Sequence, residues 1–358
     1  MRIVPRLPAL VAALFLATPA AADPVVFKDM NDRVVELPKP AERVSSIVIP
    51  MASTLIALDG ASRRLVGMNP VAKARMEEGI LSTIFPEVAA IPDTISAANF
   101  VPNVEALAAS RPDLVVQWGD RGDAIVAPIV NAGMKAMLIS YGTEAYARDY
   151  MAMMATAIGR PDRVKPLVGW RADVERDIAA KAAALGAAKR PKVLYVFRLM
   201  SEIQVAGSGP VYNDWYIRLV GGDNAAAEVK GQKPVGKEQI AAWDPDIILL
   251  NNFEPKLTPE FVYADPILSL TRAAKARKVY RSPLGGFMWD PPSQESPLSW
   301  MWLANLVHPE VFRYDLRAEM RAAYRTLYNY DLTDADIDRI LWLDVNRTSA
   351  GYDVFARR

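Results

Sequence analysis

An α/β fold of two like halves, each built on a parallel sheet, is the architecture this sequence predicts, and three observations carry it. One clause occurs twice, 133 positions apart: Glu105–Val116 reads EALAASRPDLVV and Glu238–Leu249 reads EQIAAWDPDIIL. Each copy runs from helix formers through a proline into an unbroken apolar stretch, the pattern of a helix, a stop and a buried strand. Between the halves, Pro161–Leu185 carries apolar residues at helical spacing and supplies the connection.

Residues 1–22 read as a secretory signal peptide. Arg2 and Arg6 give a positive start, Ala9–Ala17 is apolar, and Ala20-Ala21-Ala22 before Asp23 offers a small-residue cleavage site. Pro5, Pro8 and Pro19 leave the segment short of the roughly 20 apolar residues that a spanning helix needs.

In the first half, residues 23–160, Arg43–Pro50 (RVSSIVIP) is expected as a buried strand followed by a helix closing on Gly60. The repeated clause adds a helix and a strand, and Ala132–Ser140 (AGMKAMLIS) reads as a turn and a third strand. Met151, Met153 and Met154 lie at helical spacing and belong to the core.

Across residues 161–186, Pro161 suits the first helical turn, Val164, Leu167, Val168, Val174 and Ile178 recur on one face, and Gly186 suits the end. About 25 residues at 1.5 Å each make a helix roughly 37 Å long, enough to join two domains and to restrict them to a small closure. An ordinary packed helix of the first half is the alternative.

The second half, residues 187–358, repeats the plan. Lys192–Phe197 (KVLYVF) mirrors the first strand, a helix closes on Gly221-Gly222, and Ala276–Ser282 (ARKVYRS) mirrors the third strand. Ser282–Pro297 (SPLGGFMWDPPSQESP) is too rich in glycine and proline for regular structure. Trp300–Val307 and two segments within Leu316–Ile340 resume as helices.

The composition excludes several classes. With 42 basic and 41 acidic residues the net charge is +1, which argues against a nucleic-acid or other polyanion-binding surface. No cysteine is present, so an exported chain must rest on core burial alone and lacks the thiol of a lipid anchor. A free monomer in the periplasm of a Gram-negative bacterium is expected. With His308 the single histidine, the usual nitrogen and sulfur ligand sets for zinc, nickel or copper cannot be built, so neither a metal site nor a cofactor is expected of the chain itself. A bare metal would need oxygen ligands such as Tyr141, Tyr212, Asp120 or Glu295. A secreted hydrolase is the rival class, yet no G-x-S-x-G elbow occurs, Gly207-Ser208-Gly209 lacks its spacing, and a single histidine does not make a triad. No phosphate-binding glycine motif follows a strand.

The order of motifs is that of a known class. Arg43-Val44 after Leu37-Pro38, Leu65-Val66-Gly67, Val104–Val116, Gly221-Gly222-Asp223-Asn224, Ala242–Leu250, and Trp302-Leu303-Ala304 through His308-Pro309-Glu310 run across nearly the whole mature chain. In these the chain resembles the periplasmic substrate-binding proteins of ABC importers for ferric siderophores, cobalamin and haem. The resemblance implies two Rossmann-like lobes joined by one long α-helix, a ligand cleft between them, and delivery to an inner-membrane ABC permease with a cytoplasmic ATPase. It also makes His308 structural. Tyr324–Tyr328 with Asp331-Leu332-Thr333 is similar to the subgroup that takes iron and other metal complexes. Members dock on the permease through an acid on the first helix of each lobe; here that position holds Ser53, and the nearest acid of the second half is Asp214, the docking candidate.

Ligands of open α/β sheets bind beyond the carboxyl ends of the strands. By position the candidates of the first half are Met51 and Ser53, then Trp118, Asp120 and Arg121, then Tyr141. Those of the second half are Arg198 with Met200, then Ser208, Tyr212 and Asn213, then Asn252 and Phe253, then Phe287, Trp289, Ser293 and Glu295. Arg121 and Arg198 suit an anionic chelate, helix capping or local pairing being the alternative. Trp118, Phe253, Phe287 and Trp289 offer flat faces to an organic ligand, or pack beneath their loops. A ferric siderophore-like chelate is the expected ligand. A small oxyanion (molybdate or tungstate) held by Ser208, Ser293 and Arg198, cobalamin or haem, and a nickel chelate are the alternatives.

Overall fold

A computed structural model describes residues 23–186, 190–199, 202–254 and 256–356. The expected signal segment and Met200 lie outside the described residues. The chain opens with an antiparallel hairpin of β1 (Val25–Lys28) and β2 (Val34–Leu37). Four parallel strands follow in the order β4-β3-β5-β6: β3 (Val44–Ser46), β4 (Leu65–Met68), β5 (Leu114–Trp118) and β6 (Ala136–Ile139). The helices of this half are α1 (Ile49–Asp59), α2 (Pro70–Glu78), α3 (Leu81–Ile84), α4 (Val104–Ser110), α5 (Ala127–Asn131) and α6 (Glu144–Ala157). The strand expected over 43–50 is cut to three residues because Pro50 occupies the first turn of α1, where a missing N–H costs no intrahelical bond.

The connection is helical but not uniform. Pro161–Arg163 is a 3-10 turn, Lys165–Gly169 a π-helical turn, and α7 (Trp170–Ala183) follows. Pro166 has no N–H to give to the i→i−4 ladder, and the wider turn accommodates that gap.

The second sheet runs β10-β8-β7-β11-β12, with β9 also on β7: β7 (Lys192–Leu199), β8 (Ile203–Ala206), β9 (Asp223–Asn224), β10 (Gln232–Val235), β11 (Ile247–Leu250) and β12 (Val279–Arg281). Strands β7, β11 and β12 are parallel as the repeat requires, but β8 and β10 are antiparallel and make the sheet mixed. Nothing in the sequence marks this hairpin, since no Asn-Gly or Gly-X pair stands between Leu199 and Ile203. Helices α8 (Tyr212–Leu219), α9 (Lys237–Trp243), α10 (Pro259–Ala264) and α11 (Arg272–Lys275) belong to this half, and α12 (Ser296–Val307), α13 (Leu316–Tyr328), α14 (Asp334–Ile340) and α15 (Leu343–Asn346) form the tail.

The repeated clause is a clasp. Both helices end on a left-handed residue, Arg111 at φ 46° and Asp244 at φ 47°. The aspartate after each proline then holds the start of its half's first strand. Asp113 Oδ2 accepts from the backbone of Glu42 and Arg43 at 2.8 and 2.9 Å, and Asp246 Oδ2 from that of Lys192 at 2.8 Å. Each aspartate returns its own N–H to the carbonyl of Arg43 or Lys192. The motif thereby sets the register of the central strands twice over.

Alternate strand residues feed different cores, so each sheet is covered on both faces. Val115 and Leu138 pack with Leu107 on one outer face, and Leu194, Val196 and Ile248 with Val262 on the other. The opposite faces meet in one apolar core that includes Met51 and Leu55 of α1, Met151 and Met154 of α6, Ile178 of α7, Ile217 of α8, Trp300 of α12 and Leu327 of α13. Within it Arg171 of α7 is fully buried. Its Nε donates to Glu144 Oε1 at 2.8 Å and its Nη2 to Glu144 Oε2 at 2.5 Å. Nη1 reaches the Ser293 carbonyl, and Nη2 also lies 3.3 Å from the Tyr212 hydroxyl. One guanidinium therefore joins the first half, the connecting helix and two segments of the second half. Burial pulls the Arg171 pKa down, but the Glu144 carboxylate more than offsets it and holds the group above the usual arginine range.

Two predictions follow from these contacts. Asp113→Ala and Asp246→Ala should each destabilise by about 1–2 kcal/mol in urea unfolding, the value of charge-assisted backbone hydrogen bonds at a partly exposed strand start. Arg171→Ala, which leaves the buried Glu144 carboxylate to Arg148 and the Tyr212 hydroxyl without its forked partner, should cost about 3–5 kcal/mol by the same measurement.

Candidate cleft between the two halves

The carboxyl ends of the strands of both sheets converge on one cleft. A cavity of about 400 Å³ lies there, lined by Pro70, Val71, Ala74, Arg75 and Ala98 from the first half and by Arg198, Phe253 and Glu254 from the second. A larger cavity of about 900 Å³ is lined by second-half residues alone, among them Tyr280, Phe312, Arg317 and Phe355. Its Arg317 is already paired with Asp334 and Asp338.

Each half carries an aromatic-stacked arginine beyond a strand end. Arg121, in the loop after β5, lies with its guanidinium carbon 4.5 Å from the Phe100 ring centroid and 4.9 Å from that of Trp118. Arg198, near the end of β7, lies 5.5 Å from the Phe197 centroid and 5.3 Å from that of Phe253. Both side chains are exposed, and neither guanidinium has a carboxylate within 4.0 Å among the described residues. The rings hold them in place by cation–π attraction while leaving their N–H groups to an incoming ligand. Burial lowers the Arg121 pKa, opposed by Asp120 and Tyr141.

Tyr141 follows β6 and packs edge-on to Trp118 at 6.0 Å. Its hydroxyl pKa is raised, by burial first and by Asp290 second, while Arg121 lowers it. Asp290 in turn feels Arg198. Asp120 Oδ2 accepts from the Tyr141 backbone at 3.1 Å and shapes this loop.

On the same side, Arg75 Nη1 pairs with Glu78 at 2.5 Å and reaches the Asn252 carbonyl at 3.4 Å. Arg281, at the end of β12, is buried, stacks 4.3 Å over Trp342 and points Nη2 at the same carbonyl at 3.5 Å. Burial depresses its pKa, opposed by Glu78 and assisted by Arg75. The side-chain amide of Asn252 donates to the carbonyls of Ser282 and Pro283, and its Oδ1 is buried without a partner.

Of the residues singled out from sequence, Arg198 and Phe253 line this cavity. Trp118, Arg121 and Tyr141 cluster with Phe100 beyond the ends of β5 and β6, where Asp120 holds the Tyr141 backbone, and the Asn252 carbonyl meets Arg75. The other described candidates are engaged elsewhere. Met51 is core, and Ser53 is buried with its hydroxyl on Pro50 O at 3.0 Å and Gln294 Oε1 at 3.2 Å. Tyr212 donates to Glu144 at 3.1 Å, Asn213 to the Tyr216 hydroxyl at 2.6 Å, and Ser208 Oγ accepts from Lys230 at 3.0 Å. Phe287, Trp289, Ser293 and Glu295 lie in a loop that folds back into the junction, and all four are buried. Glu295 accepts from Gly286 N at 3.0 Å, Trp289 Nε1 at 2.8 Å, and the hydroxyls of Tyr324 and Tyr328 at 3.0 and 2.6 Å. Burial raises its pKa and those four donors oppose the rise. The packing is so close that a Cβ on Gly285 would stand 2.0 Å from Glu295 Oε2. Asp214, the docking candidate, is buried and engaged by Arg218 at 3.0 Å and Asn224 at 2.9 Å, so neither oxygen is offered outward.

Three charged residues in or behind the cavity wall escaped the sequence reading. Arg281 ends a strand, a signal that was available. Arg75 lies within PVAKARMEE, which reads as a solvated helical face, and Asp290 is a single acid in an irregular loop; neither carries a local signal.

Comparison with known proteins agrees with this geometry. A family model described as periplasmic binding protein matches residues 97–283. The molybdate-binding protein MolA of Haemophilus influenzae is 25% identical over 335 residues, covering 87% of this chain and 93% of its own. The crystal structure of a periplasmic solute binding protein from Veillonella parvula superposes with a TM-score of 0.83 at 32% identity, over 91% of this chain and 99% of that one. Molybdate-bound MolA superposes with a TM-score of 0.75 at 21% identity, over 86% of this chain and 99% of its own, a likeness of fold. With the family model spanning about half the chain and a 32%-identical structure nearly all of it, the chain belongs to the periplasmic binding protein family, the non-enzymatic solute-binding components of ABC importers.

Proposed function

We propose that the chain captures a compact, multiply charged oxyanion of the molybdate class in the cleft between lobes 23–160 and 187–358. It hands this anion to an inner-membrane ABC permease whose cytoplasmic ATPase supplies the energy. The observation that carries the reading is the pair Arg121 and Arg198, one from each lobe, each stacked on rings and without a carboxylate within 4.0 Å among the described residues. Guanidinium forks match the oxygens of a tetrahedral anion, and the permanent charge of arginine suits a dianion. Arg75 joins Arg198 as a second guanidinium of the cavity wall. The molybdate-binding relative over most of the chain supports the same class. A volume of about 400 Å³ is at the small end for ligand pockets, which favours a compact ligand over haem or cobalamin. Export through a signal peptide cleaved near Ala22 would deliver the chain to the periplasm.

The aromatic walls favour a second reading, a compact anionic iron chelate whose organic shell stacks on Trp118, Tyr141 and Phe253. Titration calorimetry with molybdate, tungstate and ferric citrate separates the two. Under the first reading molybdate and tungstate bind saturably at one per chain and ferric citrate does not; the reverse pattern selects the chelate. No saturable heat from any of them contradicts both.

Arg198→Ala should weaken binding of the preferred anion about 10- to 100-fold, the loss of a charge-assisted contact. Arg121→Ala, which does not remove a residue of the cavity wall, should weaken it about 3- to 10-fold, and melting temperatures of both variants should stay near that of the parent protein.

A further inference from the structure

The charges around the inter-lobe cavity balance until one buried residue is added. The wall holds Arg75 and Arg198 against Glu254, and Glu78 pairs with Arg75 Nη1 at 2.5 Å, so these four side chains carry no net charge. Arg281 lies behind the wall. It is 5% exposed, has no carboxylate within 4.0 Å among the described residues, and its Nε has no hydrogen-bond partner. The Asn252 carbonyl ties it to the cavity: Arg281 Nη2 lies 3.5 Å from that oxygen and Arg75 Nη1 3.4 Å, so the two guanidinium groups meet at one atom. Phe253, the next residue, lines the cavity and stacks with Arg198 at 5.3 Å. Arg281 is also fixed in place. Its backbone N–H and carbonyl are both held by the side-chain amide of Asn346, at 2.7 and 3.1 Å, and its guanidinium lies 4.3 Å from the Trp342 ring centroid. Trp342 itself stands at φ 52°, a left-handed conformation that is unfavourable for a bulky side chain.

We propose that Arg281 sets the charge selectivity of the site: without touching the ligand, it supplies the excess positive charge that favours a doubly charged oxyanion over a singly charged one of the same shape. The inference rests on the oxyanion reading above and adds the residue that sorts anions by charge. Coulomb energy scales with the charge of the ligand, so a fixed cation beyond contact distance favours a dianion twice as strongly, in free energy, as a monoanion in the same place. Arg198 and Arg75 can donate to the oxygens of either; Arg281 responds to charge alone. Asn346 and Trp342 hold it before any ligand arrives, so its field acts without a cost of ordering. The relation is mutual. A buried cation without a counter-ion destabilises the fold, and an anion in the adjoining cavity supplies the missing charge.

Arg281→Met removes the charge and keeps an unbranched apolar chain over Trp342, Arg281→Gln is a second neutral variant that keeps a donor for the Asn252 carbonyl, and Arg281→Lys restores the charge. Titration calorimetry with sodium molybdate, and with the tetrahedral monoanion perrhenate by displacement of molybdate, compares them. Both neutral variants should weaken perrhenate about 2- to 5-fold and molybdate by the square of that, about 4- to 25-fold, while Arg281→Lys stays within about 3-fold of the parent for each. Without ligand, Arg281→Met should melt no lower than the parent, since an unmatched buried charge is gone. An arginine with a structural role alone would instead lower the melting temperature and leave the ratio of the two affinities unchanged. Molybdate affinity within about twofold of the parent in the neutral variants, equal losses for the two anions, or Arg281→Lys binding no better than Arg281→Gln overturns this inference alone. Absence of saturable heat from molybdate with the parent protein overturns the oxyanion reading and this inference with it.

Discussion

The buried pair of Arg171 and Glu144 is the contact on which the arrangement of the two halves turns. Two charges removed from water cost several kcal/mol each unless every donor and acceptor is met, and here the guanidinium is met by a forked carboxylate, a carbonyl and a hydroxyl. Those partners come from α6, from the loop before α12 and from α8, so the requirement can be met only when the halves sit in one relation. Such a pair contributes less net stability than apolar packing would, but it penalises every arrangement in which one partner goes without the other. The apolar core that surrounds it, shared by α1, α6, α7, α12 and α13, supplies the burial.

This rigidity is what a capture site needs. A cleft formed before the ligand arrives avoids the ordering cost that otherwise reduces affinity, and an arginine stacked on two rings has little rotamer freedom left to lose. The Glu295 hub acts in the same direction from behind: four donors on one carboxylate fix the Gly285-Gly286 loop, and that loop meets the end of α2, where Ile80 N donates to Gly285 O at 3.0 Å. The helix that carries Arg75 into the cleft wall is therefore positioned by residues of the other half.

The fold was legible because it is written as local patterns. The two copies of the clause, with their prolines and aspartates, predict both central strands, and the structure adds that Asp113 and Asp246 do the same work at the same place. The antiparallel β8 and β10 were missed for want of a turn signal, and the π-helical turn at Lys165–Gly169 needed only Pro166 to be weighed. The site was legible in part. Arg198 and Phe253, which line the cavity, stand at or just after strand ends, where the rule of strand ends looks for them. Phe287, Trp289, Ser293 and Glu295 also follow a strand, but their loop turns inward to complete the junction, a choice made by tertiary hydrogen bonding that no local pattern records. Arg75 enters the cavity wall for the same non-local reason.

The central claim is that the halves form one preset body with the anion cleft already shaped between them. Small-angle X-ray scattering of the protein with and without saturating molybdate tests it most directly. The account predicts superimposable curves with an unchanged radius of gyration; a compaction of about 1 Å or more on adding the anion, the mark of hinge closure, would contradict it.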